Sequence, residues 1–340
     1  MHNVLIIGVG SIGERHTRCF LTTGRAKVSI CEVNNELRNT IADRYDIEQT
    51  YDARDAAMEA SFDLALICVP AHLHIRVALR LAKAGVHLLI EKPLGTGLEG
   101  IGQLRQTVMQ QKLFAAVAYT YRAHPLLRAV RDAVESGEYG RPLTVQFVGG
   151  QHFPTFRPAY REIYYAKRET GGGCIQDAIT HMINAGEWVC GPVRRLVCDA
   201  EHIALPGVTV EDMAHVLTRQ QYKGAAGTGE VNGVYSCTQY QTKNELVLTV
   251  ICEKGCVRAD FSAGTWLTCT DTQGPWVEQA RVELERDTLY VNQANATLDA
   301  IESDGPPLCS LDEGLQTLRC NLAEIDSARE QAWKTIDAQS

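Results

Sequence analysis

The sequence predicts an α/β domain built on a parallel sheet, followed by an α+β domain with a large, mostly antiparallel open sheet. Three observations carry this. The first 120 residues alternate short apolar runs with amphipathic stretches, a glycine-rich turn follows the first apolar run, and after Pro125 strand-like runs succeed one another with few helical interruptions. At 340 residues, and with about 150 residues per domain, two domains are expected. Their expected extents are residues 1–122 and 123–340, with the last helix packing back on the first domain.

Val4–Ile7, Lys27–Cys31, Asp63–Val69, Val86–Ile90 and Phe114–Tyr119 read as strands. They are continuously apolar, as strands covered on both faces must be. Between them Ile12–Thr22, Glu36–Tyr45, Asp52–Glu59, His74–Ala84 and Leu98–Gln111 read as helices, with Gly24 and Gly85 where a helical stop is expected. One more helix is expected at Leu126–Ser136. Strands follow at Leu143–Val148, Val193–Ala204, Met213–Gln221, Glu230–Tyr235, Glu245–Cys252, Val257–Phe261 and Trp266–Thr270, interrupted by a helix near Cys174–Val189. Helices at Leu289–Glu302 and Leu311–Trp333 close the chain, the second opened by the capping-box pair Ser310 and Glu313.

Composition narrows the function. The net charge of −8 is a poor match for a polyphosphate backbone, so nucleic acid is not an expected partner. No apolar run approaches the ~20 residues of a membrane span, and no basic leader precedes the first strand, so a soluble, cytoplasmic protein is expected. The 12 cysteines are scattered without CxxC spacing. They read as reduced core residues rather than as a metal site or a disulfide framework.

Gly8-Val9-Gly10-Ser11-Ile12-Gly13 is a GxGxxG run between the first strand and the first helix, and Glu32 ends the second strand. Gly8 permits the tight turn, Gly10 admits a pyrophosphate, and Gly13 brings the helix close to the sheet. The helix start, with Ser11 and Ile12, offers amides and a partial positive charge to phosphates. This is a dinucleotide-binding Rossmann fingerprint. A carboxylate at Glu32 accepts from the adenosine ribose hydroxyls and repels a 2′-phosphate, which favours NAD over NADP; Arg38 nearby weakens that preference.

Three further pieces fit hydride transfer. Glu91-Lys92-Pro93 lies at the carboxyl end of the strand Val86–Ile90, where open α/β sheets bind ligands. Gly171-Gly172-Gly173 precedes Asp177 and His181, four apart and so on one helical face with Cβ atoms about 5–6 Å apart. There a carboxylate orients the imidazole and raises its basicity. Tyr121-Arg122 lies at the expected domain junction. Taken singly, each piece also reads as ordinary surface.

Together, GxGxxGxxH from Gly8 to His16, Glu91-Lys92-Pro93, Tyr121-Arg122 with Pro125, and GGG followed by Asp177-x-x-x-His181 resemble the Gfo/Idh/MocA oxidoreductases, in family order over nearly the whole chain. The resemblance implies Lys92, Asp177 and His181 as catalytic residues and a cis peptide before Pro93. It also implies cofactor contacts from Pro70, His74, Glu91 and Lys92, and a homodimer or homotetramer formed through the second domain's sheet. Where relatives often carry Thr-Pro-Asn and then His, this chain has Val69-Pro70-Ala71-His72-Leu73-His74, so Ala71 lacks the side-chain amide.

The expected reaction is NAD-dependent oxidation or reduction at a secondary alcohol of a sugar, sugar acid, nucleotide sugar or cyclitol. The segment from His152 to Arg168 interleaves aromatic and basic residues. It makes Arg157, Tyr160 and Tyr164, with Tyr121 and Arg122, candidate substrate contacts; a loop at a subunit interface fits the same composition. Alternatives are a redox-neutral glycosidase or eliminase using NAD transiently, a reductase of a non-sugar carbonyl or imine, and a silent NAD(H) sensor.

Overall fold

A computed structural model describes residues 1–52 and 61–337. The chain divides into two compact units. The first comprises residues 1–123 and 285–315, the second residues 124–284 and 316–340.

In the first unit, β1 (His2–Ile7), β2 (Ala26–Cys31), β3 (Thr50–Tyr51), β4 (Leu64–Ile67), β5 (His87–Ile90) and β6 (Ala115–Val117) form one sheet. Its order is β3-β2-β1-β4-β5-β6, and every pair is parallel. This is the doubly wound order in which ligands sit beyond the carboxyl ends of the strands. Helices α1 (Ser11–Thr22), α2 (Asn35–Tyr45), α3 (His74–Lys83) and α4 (Ile101–Gln110) make the crossovers. The helix expected at Asp52–Glu59 lies, apart from Asp52, outside the described residues. Gly24 and Gly85 take φ of +66° and +80°, the left-handed conformation a helix stop uses.

The domain expectation needs one amendment. The segment that returns to the first unit is 285–315, carrying the penultimate helix α7 (Thr288–Ser303) and the first turn of the last helix. Helix α7 packs along α1, and its Ala294 and Leu298 enter the core with Val4, Ile6 and Phe20. Arg18 binds Asp287 through both nitrogens, and Arg25 binds Asp299 and Glu302. At the start of the last helix, α8 (Leu311–Glu330), the capping box forms: Glu313 Oε2 accepts from Ser310 N at 2.8 Å, and Ser310 Oγ accepts from Glu313 N at 3.2 Å.

The second unit opens with α5 (Pro125–Glu135) and holds nine strands. They are β7 (Pro142–His152), β8 (Val193–Glu201), β9 (Met213–Gly224), β10 (Gly227–Thr238), β11 (Tyr240–Cys252), β12 (Gly255–Asp260), β13 (Thr265–Cys269), β14 (Val277–Arg281) and β15 (Lys334–Thr335). Their order is β14-β13-β12-β11-β7-β10-β9-β8-β15, and all pairs are antiparallel except β7 with β10. The expected helix near Cys174–Val189 is present in two parts, a π-helical turn at Ile175–Ile179 and then α6 (Thr180–Cys190). Nine of the twelve cysteines are buried, and no disulfide joins any of them among the described residues.

Candidate functional site

In the first unit the site grows from the β1–α1 turn. Gly8 has φ +86°, and a Cβ there would stand 2.9 Å from the Cys68 carbonyl oxygen; a Cβ on Gly13 would stand 1.8 Å from the Gly8 oxygen. Both glycines are forced by close backbone packing. Gly10 differs, because a Cβ there would meet nothing within 4 Å. The chain is small at that point without any protein contact requiring it, which leaves room for another group's phosphates. No side chain caps α1, and Ser11 is exposed beside the opening.

Glu32 closes one end of this cradle. Its Oε2 accepts from Val9 N at 3.1 Å and its Oε1 from Asn34 N at 2.9 Å, so the carboxylate is fixed beside the turn. Arg38 donates to the Glu32 carbonyl oxygen at 2.8 Å and also bonds Asn35. The carboxyl ends of β2, β1, β4 and β5 follow one another across the sheet and lead into Glu32, Gly10, Pro70 and Lys92. At 4.7–4.9 Å per strand that row is about 14 Å long. Pro70 is exposed and Lys92 partly so. The residues present fit an extended dinucleotide, with ribose hydroxyls at Glu32, phosphates at Gly10 to Gly13, and the reactive end toward Lys92.

The loop carrying Lys92 is held from both sides. The Lys92–Pro93 peptide is cis. Glu91 is buried; its Oε1 accepts from His16 Nε2 at 2.8 Å and its Oε2 from Lys92 N at 3.0 Å. Burial pushes the Glu91 pKa up, but His16 and Lys92 outweigh it and hold the carboxyl below its usual range. On the far side His74 Nδ1 lies 2.9 Å from the Pro93 oxygen, and Nε2 lies 2.7 Å from the Val69 oxygen. Burial draws the His74 pKa below the ordinary imidazole range, against the pull of those two carbonyls.

In the second unit a different set gathers on Asp177, which is 4 % exposed within the π turn. Tyr164 donates to Oδ1 at 2.5 Å, and Arg157 lies 3.5 Å from Oδ2, an ion-pair contact at the outer limit of a hydrogen bond. Tyr164 and Arg157 are themselves substantially exposed, and the Arg157 guanidinium stacks over Phe153 at 5.2 Å. A buried carboxylate with an exposed phenol and an exposed guanidinium suits a hydroxyl-rich ligand. His181 follows at the second position of α6, partly buried. Asp177 lies within the π turn and His181 just beyond it; such turns recur at functional sites.

Sequence models of two domains match this chain. One, described as an oxidoreductase family with an NAD-binding Rossmann fold, matches residues 2–119; the other, the GFO/IDH/MocA C-terminal domain, matches residues 127–258. The chain belongs to the Gfo/Idh/MocA oxidoreductases. Levoglucosan dehydrogenase of Pseudarthrobacter phenanthrenivorans is 27 % identical over 199 residues, 56 % of this chain and 51 % of that protein, so the match spans about half its length. Myo-inositol 2-dehydrogenase of Thermotoga maritima is 23 % identical over 96 % of both chains. A solved levoglucosan dehydrogenase in complex with NADH shares the fold, with TM-score 0.87, 19 % identity and 99 % of each chain covered. The family's cofactor is NAD, and among the described residues no helix is long and apolar enough to cross a membrane.

Not every residue the sequence singled out has the expected place. Arg122 is 2 % exposed; its guanidinium pairs with Glu313 and donates to the Leu308 oxygen at 3.1 Å, so it braces the first unit rather than facing a substrate. Burial would raise the Glu313 pKa, but Arg122 holds it below the usual range. Tyr160 is fully buried, packs with Phe153, Tyr165 and Leu205, and donates to the Pro206 oxygen. His74 is 1 % exposed, with its ring nitrogens facing the Pro93 and Val69 carbonyl oxygens. Tyr121 is partly exposed in the short helical turn Thr120–Ala123. Ala71 is buried in a similar turn.

Glu211 escaped the sequence reading. It is buried, accepts from Ile175 N at 3.1 Å and Arg168 at 2.6 Å, and so anchors the start of the π turn. Burial raises its pKa, opposed by Arg168. The glycine triplet packs against this residue and its neighbours. A Cβ on Gly173 would stand 2.4 Å from Glu211, and one on Gly172 would stand 2.1 Å from the Tyr165 oxygen. No local signal marks Glu211, because its partners lie far away in sequence.

Proposed function

We propose that this protein is an NAD-dependent dehydrogenase or reductase acting on a secondary alcohol of a sugar or cyclitol. The carrying observation is the row of strand ends in the first unit, from Glu32 through the vacant space over Gly10 to the clamped Lys92 loop. The second unit's group of Tyr164, Arg157 and Asp177 supports a polyhydroxylated substrate, as do the activities for which the relatives are named. Sugar acids and nucleotide sugars belong to the same proposal, because Arg157 suits an anionic group.

When bound, NAD supplies a two-electron hydride acceptor. In our proposal His181 takes the hydroxyl proton as the carbon loses its hydride, and the Lys92 ammonium stabilises the developing alkoxide. Asp177 holds Tyr164 and Arg157 against the other hydroxyls. A positioned base contributes roughly 10²–10⁴-fold and a preorganised charge roughly 10²–10³-fold.

The test is an NADH-absorbance screen of levoglucosan, myo-inositol, other sugars and sugar acids, run with NAD⁺ and NADP⁺. Expected are turnover with NAD⁺ and losses of about 10²-fold or more in His181→Ala and Lys92→Ala, with NAD⁺ affinity nearly intact. No turnover across the panel, or unchanged turnover in either variant, overturns the proposal.

We also propose a cytoplasmic homo-oligomer paired through the open face of the second unit's sheet. In register, Leu217, Val234, Val148 and Val247 share one face, and Leu217 and Val148 are 47 % and 45 % exposed. Sedimentation of Leu217→Arg against wild type tests this; a monomeric wild type would overturn it.

A further inference from the structure

Two buried histidines converge on the three-residue loop that carries Lys92. His16, 1 % exposed, comes from α1, whose N-terminus forms the glycine cradle, and reaches the Glu91 carboxylate at 2.8 Å. The other carboxylate oxygen takes the Lys92 backbone N–H. His74, also 1 % exposed, opens α3 and reaches the Pro93 oxygen at 2.9 Å and the Val69 oxygen at 2.7 Å. The backbone is therefore held by one imidazole just before Lys92 and by another just after it. His16 is itself fixed, because Tyr290 meets its ring edge-on at 5.4 Å and Arg15 stacks on Tyr290 at 4.9 Å.

Packing alone does not call for this arrangement. Leucine or methionine at both positions would fill the space without desolvating two imidazoles. Directional bonds to the Glu91 carboxylate and to a backbone carbonyl fix what apolar contact cannot, the path and orientation of a short loop. Its two anchors lie on helices that begin beside the proposed dinucleotide row, one at Gly10 and one after Pro70.

We propose that His16 and His74 are positioning residues for Lys92, presetting its ammonium before the substrate arrives. They act through Glu91 and Pro93 and touch neither substrate nor cofactor. The inference rests on the reading of Lys92 as the group that stabilises the alkoxide. It adds the means by which that group is aimed.

The experiment compares His16→Leu, His74→Leu and His16→Gln with wild type and Lys92→Ala, using the fastest sugar or cyclitol of the panel. Readouts are kcat, KM, NAD⁺ affinity by fluorescence titration, and thermal unfolding. The leucine variants should lose about 10- to 100-fold in kcat, as a misplaced catalytic group does, with KM and NAD⁺ affinity changed by no more than about threefold. His16→Gln restores a donor to Glu91 and should recover most of kcat, which a role in packing alone would not give. The inference is overturned if the leucine variants keep wild-type kcat, if NAD⁺ affinity falls in step with kcat, or if glutamine serves no better than leucine. Should His16→Leu not fold, Glu91→Gln carries the test: a fall in kcat at constant NAD⁺ affinity supports the clamp, and no fall overturns it. Intact turnover in Lys92→Ala removes the reading of Lys92 itself. A loss there without loss in the histidine variants removes only the clamp.

Discussion

Glu324 permits a measurement of stability that needs no substrate. It lies on α8 in the second unit, fully buried, and neither carboxylate oxygen meets a hydrogen-bond donor among the described residues. One turn earlier Asn321 donates to Thr180 at 2.9 Å, which places this stretch of α8 against the start of α6. Burial, and after it the carboxylates of Glu187 and Glu211, push the Glu324 pKa well above the usual range. The folded chain thus keeps a proton that the unfolded chain releases near pH ~4.3. Because the folded state binds more protons, this contribution to stability is full below the unfolded value and is lost as pH rises through the folded one. One proton's difference amounts to about 1.4 kcal/mol per pH unit across that interval. Glu324→Gln keeps the volume and cannot ionise, and Glu211, whose pKa is also raised, remains in both proteins. Urea unfolding of wild type and Glu324→Gln at about pH 5, 6 and 7 should show the variant gaining on wild type as the pH rises. Parallel curves would refute a buried neutral acid at this position.

Other expectations are simpler to check. Gly10→Ala should leave the melting temperature near wild type yet weaken NAD⁺ binding at least about tenfold in calorimetry, since its Cβ enters open space where phosphates are expected. Gly13→Ala forces a Cβ against the Gly8 oxygen and should lower the melting temperature as well. Arg122→Met leaves the half-exposed Glu313 without its guanidinium partner, and chemical denaturation should show a loss of about 1 kcal/mol. Tyr164→Phe removes one hydrogen bond to the buried Asp177 carboxylate, and chemical denaturation should show a loss of about 1.5–3 kcal/mol.

The parallel sheet was legible because its signals are local. Apolar runs, crossover helices and the turn from Gly8 to Gly13 each span a few residues, and the Ser310–Glu313 box is four residues long. What escaped is long-range. Arg122 reads as a free basic residue until Glu313, 191 positions later, folds beside it. Tyr160 sits in a run of aromatic and basic residues that suggests a ligand, yet only tertiary packing decides which of them turn inward. The π turn at Ile175–Ile179 is invisible to a spacing argument, because Asp177 and His181 are four apart in either kind of helix. Glu211 and Tyr290 act on the π turn and on His16 from distant segments, and neither carries a motif. Short strands such as β3 and β15, two residues each, are too brief to show a pattern.

The interleaved order of the two units bears on how the molecule is made. Residues 124–284 are, topologically, an insertion within the first unit, whose last contribution ends only at Leu315. A nascent chain that has emerged as far as Ala123 still lacks Asp287 for Arg15 and Arg18, Tyr290 for His16, and Glu313 for Arg122. The part that begins first during synthesis is therefore completed near the end, and a protein cut back to its first 123 residues loses the returning segment's partners of Arg15, Arg18, Arg25, Arg105, Arg122, His2 and His16.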